Sequence, residues 1–229
     1  MAKLGNKRVM TVAEYAYNTI QEMILSGELS PGERINLDTL TDLMEASRIP
    51  VKQALDKLCA EGLVLEVPRK GMSVMPVSVE DLNSIFEMRC SMEPMAYIKA
   101  FQYVSNEDIR NLYNLLDTQD KETVDVNLVM AQNKEFHSVL YGLSRDEGLI
   151  KNINQLWILS NRYRRLYYKE TTYNSRIVKE HYELVGYLEN GKKQEGVDML
   201  IEHTRRSQAI ILKMFDEEIQ PLPFKLTVV

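Results

Sequence analysis

Three short helical patterns, a pair of β-rich runs around a basic turn, and helical periodicity from residue 78 onward together predict a mainly α protein. The predicted architecture is an N-terminal winged helix-turn-helix with a small β-hairpin wing over residues 1–77. An antiparallel all-α bundle of six to seven helices follows over residues 78–229. With 229 residues, 45% hydrophobic and 27% charged, the chain can build two modest apolar cores.

Each element has its own signal. Val12, Ala16, Ile20, Met23 and Ile24 recur at helical spacing, so residues 11–26 read as a first helix; Gly27 stops it, and Ser30, Pro31 and Gly32 turn the chain. Leu37, Leu40, Leu43 and Met44 mark a short second helix. Ser47 is placed as the N-cap of a third, with Pro50 in its first turn. There Val51, Ala54, Leu55, Leu58 and Cys59 fall at i, i+3, i+4, i+7 and i+8, a buried stripe that Gly62 ends. The period then drops to two: Leu63 to Val67 and Met72 to Met75 flank the turn Pro68, Arg69, Lys70, Gly71. Beyond Pro76, Ser78 with Asp81 and Ser105 with Asp108 resemble capping boxes. Helices are expected over 79–102, 106–118, 124–143, 147–168, 175–189 and 193–216, with Gly191 between the last two.

A net charge of −5 excludes a generally basic nucleic-acid binder, so any DNA contact has to come from a local patch. Cys59 and Cys90 lack CxxC spacing and suit reduced cytoplasmic thiols. No apolar run reaches the roughly 20 residues that span a bilayer, and Glu14 interrupts any signal-peptide core. These features point to a soluble cytoplasmic protein with no membrane partner.

Opposite its buried stripe the third helix carries Arg48, Ile49, Lys52, Gln53, Asp56 and Lys57. The start of a recognition helix reaches base edges, where Arg and Lys donate to guanine and Gln bonds adenine. Arg69 and Lys70 at the hairpin tip would meet phosphate or minor groove, and Gly71 lets the wing turn tightly. A solvated helix face, or a winged helix used for protein contacts, is the alternative. The stretches ILSGELSPGERI (24–35), SRIPVKQAL (47–55), EGL (61–63) and RKG (69–71) resemble the N-terminal domain of the GntR superfamily. That resemblance implies a homodimer on a roughly palindromic operator, and more often a repressor than an activator. Ile49, Lys52 and Gln53 depart from the family's usual Thr, Arg and Glu at positions that face DNA, so the operator sequence does not carry over.

The three histidines, His137, His181 and His203, lie on three different predicted helices. Asn133, Phe136, His137 and Leu140 share one helix face; Ile177, His181, Leu184, Val185 and Leu188 share another; Leu200, His203, Ser207 and Ile210 a third. Three inward imidazoles in one bundle suit a divalent ion such as zinc or nickel, against the alternative of core histidines satisfied by hydrogen bonds. Leu82, Ile85, Phe86, Arg89 and Ala96 turn Arg89 inward as well; its anionic partner is either an effector carboxylate or Glu93 one turn on. Glu135 and Glu180 stand near the histidines in sequence without an evident role, and NRYRRLYY (161–168) reads as a solvated or interface segment.

NKEFHSVLY (133–141), KEHYELVGYLENG (179–191) and MLIEHTRRS (199–207) resemble the FCD-type effector domain of the FadR subfamily. In that subfamily an Asp and three His hold a divalent metal beside a carboxylate effector. The resemblance therefore implies that His137, His181 and His203 are ligands and that Asn133 stands where the family has Asp, a neutral oxygen that weakens the site or changes its metal preference. A metal-free acyl-CoA-type sensor is the nearest alternative. A metal-dependent hydrolase is a weaker one, since neither an HExxH helix nor a GxSxG elbow is present. The chain therefore reads as a regulator rather than an enzyme.

Overall fold

The computed structural model describes residues 10–119, 125–167 and 173–218. Its contacts divide the chain into two compact units, Met1–Val77 and Ser78–Val229. The first contains α1 (Val12–Ser26), β1 (Arg34–Ile35), α2 (Leu37–Leu43), α3 (Arg48–Ala60), β2 (Val64–Val67) and β3 (Gly71–Val74). Thr11 and Glu14 form a reciprocal capping box at the start of α1, and Gly27 ends it in the left-handed region. Ala16, Ile20 and Ile24 of α1 and Val51, Ala54, Leu55 and Leu58 of α3 are buried where the two helices pack. Cys59 falls at the half-buried edge of that stripe rather than inside it.

Two local expectations hold, each with an added detail. Ser47 occupies the N-cap of α3 with extended backbone but makes no side-chain capping bond. The expected hairpin is present as β2 and β3, and β1 pairs with β3 to extend it to a three-stranded antiparallel sheet of order β1-β3-β2, with Arg34 opposite Ser73 and Val67 opposite Gly71. A two-residue strand is too short to display a period of two, so β1 exists only through its pairing with β3. At the tip the Lys70 N–H donates to the Val67 carbonyl, while Arg69 and Gly71 both take positive φ.

The second unit is built from α4 (Val79–Ala100), α5 (Asn106–Asp117), α6 (Val126–Gly142), α7 (Glu147–Tyr167), α8 (Tyr173–Glu189) and α9 (Lys193–Glu218). The expected helix start at 124 and helix end at 168 lie outside the described residues. Helix α4 packs on α6, α7 and α9, and α8 packs on α5 and α9. Tyr97, Leu112, Phe136, Leu140, Leu184 and Leu200 form the centre of the core. Ser105 and Asp108 complete a reciprocal capping box on α5. At α4 only half of the expected box forms: Ser78 accepts from the Asp81 N–H, but the Asp81 carboxylate is taken by Arg162 and Tyr163. Arg162 and Tyr163 are thereby buried, which corrects the expectation of a solvated or interface segment there. Among the described residues no helix is long and apolar enough to cross a membrane.

One glycine matters for this packing. The Tyr97 hydroxyl donates to the Leu184 carbonyl of α8 at 2.7 Å, and its ring passes directly against Gly196 of α9. A Cβ on Gly196 would stand 2.8 Å from Tyr97 Cζ. Gly196→Ala, which should help an exposed helix by about 1 kcal/mol, is expected instead to destabilise by ~1–3 kcal/mol through overpacking. Urea denaturation checks this; a stabilised variant would show that Tyr97 can move aside.

Candidate DNA interface and metal centre

The exposed face of α3 presents Arg48, Ile49 and Gln53, with Lys52 half-buried between them. The basic residues do not stand alone. Arg48 pairs with Asp38 at 2.7 Å, and the Lys52 ammonium lies 2.6 Å from Asp56 and 3.5 Å from Glu66 of β2. Such exposed pairs are worth only about 0–1 kcal/mol and can yield to phosphate. Lys57, a turn further along, sets its ammonium 3.7 Å from the centre of the Tyr17 ring and 4.0 Å from Glu61, tying α3 to α1. Arg69, Lys70 and Gly71 are exposed at the wing tip, and the Arg34 guanidinium lies beside Gly71.

In the second unit α6, α8 and α9 bring His137, His181 and His203 together, each at most 3% exposed. Their ligand atoms all lie within 4.8 Å of one another, and the Nε2 atoms of His137 and His181 are 3.1 Å apart. With zinc–nitrogen bonds of about 2.0–2.1 Å, two nitrogens on one tetrahedral ion stand roughly 3.3 Å apart. The His137–His181 pair stands at about that spacing, and with the third imidazole within 4.8 Å this donor set could hold a divalent ion. Asn133, one helical turn before His137, has a buried Oδ1 with no hydrogen-bond donor on it. Aromatic rings enclose the cluster: Phe136 stacks on His181 at 4.1 Å, and Trp157 lies 4.9 Å from His137. A small cavity lined by Lys134, His137, Tyr141, Asn154 and Trp157 has about 10 Å³ of space, room for about one water.

Behind the histidines stands Glu180, whose Oε2 lies 2.7 Å from His203 Nδ1. Arg176 and Arg206 each reach its Oε1 at 3.0 Å. Burial pushes the Glu180 carboxyl up, but the hydrogen bond from His203 and the neighbouring guanidiniums outweigh that and hold it down at about 2.

Arg89 and Glu93 on α4 are both fully buried. Arg89 Nε donates to Glu93 Oε1 at 2.7 Å, and Trp157 Nε1 donates to the same oxygen at 2.8 Å. Glu93 Oε2 accepts from the Tyr141 hydroxyl at 2.7 Å; the Thr204 hydroxyl lies 3.4 Å away and donates at 2.9 Å to the Leu200 carbonyl. Arg89 Nη1 reaches Ser160 at 3.4 Å, whereas Nη2 is buried without an acceptor. Of the two partners open in the sequence, Glu93 is present, and one guanidinium nitrogen is left over.

Two family models match this chain: that of the FCD domain over residues 84–206, and that of the gntR family of bacterial regulatory proteins over residues 12–74. The chain belongs to the GntR family and carries an FCD domain. This GntR-family chain is a DNA-binding transcriptional regulator, and its families and relatives are regulators rather than enzymes. It is 27% identical over 195 residues to the Nta operon transcriptional regulator of Aminobacter aminovorans, covering 84% of this chain and 90% of that one. It is 25% identical over 222 residues to the HTH-type transcriptional regulator McbR of Escherichia coli, covering 94% and 100%. The solved structure of E. coli McbR/YncC shares the fold with a TM-score of 0.78 at 22% identity, over 90% of this chain and all of that one.

Sequence reasoning passed over three residues of this GntR-family regulator. Arg34 joins the wing only through the β1–β3 pairing. For Glu93 the sequence offers a partner for Arg89 but gives no sign that it also accepts from Trp157 and Tyr141. Glu180 was set aside, although its place beside His181 in the Ile177–Leu188 stripe is a readable signal: a carboxylate in an apolar stripe needs a buried partner.

Proposed function

We propose that this regulator binds a two-fold operator as a homodimer and that its FCD domain senses a small carboxylate at a divalent ion, zinc or nickel. Arg48, Ile49, Lys52 and Gln53 read the major groove from the first turns of α3, and Arg69, Lys70 and Gly71 of the wing brace the backbone. Lys57 acts from its seat on Tyr17, at the far end of the reading face. The ion is held by His137, His181 and His203 with the neutral oxygen of Asn133, and the spare Nη2 of Arg89 anchors the effector's negative charge. Effector binding shifts the bundle between two packings and relieves repression, a coupling of typically ~1–3 kcal/mol. The reading is carried by one observation: three buried imidazoles from α6, α8 and α9 meet within 4.8 Å. An ion there supplies a positive centre that the neutral rings lack.

The test is a gel shift on DNA from upstream of the protein's own gene, with and without a chelator, zinc, and a panel of small carboxylates. Operator affinity should change only when zinc and one carboxylate are both present. Indifference to every combination would overturn the sensing half. In the same assay Lys52→Ala and Arg48→Ala are expected to weaken binding by ~1–3 kcal/mol, about 5- to 150-fold. A lysine that contacts phosphate also lowers the slope of log affinity against log salt by about one. Both variants should keep the wild-type response of the bundle to metal. Unchanged operator affinity in both would remove α3 from the interface.

A further inference from the structure

We infer that Glu180 is a positioning residue for His203: it fixes the imidazole tautomer and leaves Nε2 as the nitrogen able to hold a cation. The inference rests on the metal reading above and adds a residue outside its ligand set. The distance of 2.7 Å between His203 Nδ1 and Glu180 Oε2 requires one shared proton. Arg176 and Arg206 both point their donors at Oε1 of the same carboxylate, which leaves Oε2 to accept from Nδ1, so the ring donates. Nε2 is then the ring's lone-pair nitrogen, the one able to hold a cation.

The carboxylate is itself held from two directions. Arg176, four residues earlier on α8, donates to Oε1 at 3.0 Å, and Arg206, three residues after His203 on α9, reaches the same oxygen at 3.0 Å. Arg206 is tied in turn to Glu202. Oε2 therefore remains for His203. A negative charge on the far side of the ring also makes Nε2 a stronger donor toward a cation. Since Asn133 supplies no charge where an acidic ligand would, Glu180, in contact with His203, is a carboxylate that can offset the ion's charge through a ligand.

Full-length wild type, Glu180→Gln and Glu180→Ala are compared in two measurements. The first is zinc affinity by competition with a chromophoric chelator. Glu180→Ala should bind roughly 10- to 100-fold more weakly, and Glu180→Gln, which keeps an acceptor but no charge, should fall between. The second is the ring-nitrogen NMR shifts of the metal-free protein. His203 should carry its proton on Nδ1 in wild type and in Glu180→Gln, and lose that preference in Glu180→Ala. A residue that served only the fold would lower the metal-free melting temperature without altering the tautomer. Should Glu180→Ala not fold, Glu180→Gln decides through its weakened zinc binding. An Nε2–H tautomer in wild type, or zinc affinity unchanged in both variants, overturns the inference. A wild type that takes up no zinc yet shows the Nδ1–H tautomer would instead overturn the metal reading and leave Glu180 its role.

Discussion

His181→Ala is expected to erase the stabilisation that zinc or nickel gives the wild-type protein. His181 is fully buried, and its Nε2 lies 3.1 Å from that of His137, so its loss removes one of three converging donors. A ligand present at a hundred times its Kd stabilises the native state by about 2.7 kcal/mol. If the variant raises Kd a hundredfold, the same concentration contributes only about 0.4 kcal/mol. For a domain of this size the difference is a melting shift of roughly 5–10 °C on adding metal, seen in wild type and absent in the variant. The comparison is of each protein with and without metal, so the cavity left by the missing ring cancels. Asn133→Asp should act in the opposite direction, because it adds charge at a buried oxygen that accepts no hydrogen bond. A wild-type melting temperature indifferent to zinc and nickel would defeat the reading, and an Asn133→Asp protein binding no more tightly would separate Asn133 from the site.

The second large effect is expected at Glu93. Its two oxygens accept from Arg89, Trp157 and Tyr141, which joins α4 to α6 and α7 at one buried point. Glu93→Leu leaves the Arg89 guanidinium buried between Phe86 and Trp157 without a counter-charge. Breaking a buried ion pair from one side costs about 3–5 kcal/mol. A fall of roughly 10 °C in melting temperature, or failure to accumulate folded protein, follows. The double variant Arg89→Met with Glu93→Leu should recover most of the loss, because two apolar side chains carry no desolvation penalty. Urea unfolding of the two single variants and the double variant measures the coupling. A double variant as unstable as Glu93→Leu would mean that the hydrogen bonds from Trp157 and Tyr141, rather than the ion pair, hold this part of the bundle. If the spare Nη2 of Arg89 anchors the effector, the double variant should also be folded and unresponsive.

Much of this protein is legible in its residues because helical periodicity is a local property. Val51, Ala54, Leu55 and Leu58 show which face of α3 is buried, and by subtraction that Arg48, Ile49 and Gln53 are exposed. The same reasoning turns each histidine inward. What it misses is of another kind. Arg34 belongs to the wing because a two-residue strand finds β3 across the sheet. Lys57 shares a face with Gln53 by sequence spacing, yet its ammonium is engaged by Tyr17 and Glu61. Arg162 and Tyr163 look like a polar surface run and are instead buried against Ser78 and Asp81.

By itself, then, the order of residues determined a mainly α chain with a winged head, the inward orientation of His137, His181 and His203, and the family to which those patterns belong. The tertiary structure alone decided that the three rings come within 4.8 Å of one another, that Glu93 is in place to pair with Arg89, and that Glu180 reaches across from α8 to His203 on α9. The physical reason is range. A helix repeats every 3.6 residues, so nearest neighbours along the chain suffice to say which side faces in. Which inward side chains touch depends on how helices far apart in sequence cross and in what register, and that is set by the packing of the whole core.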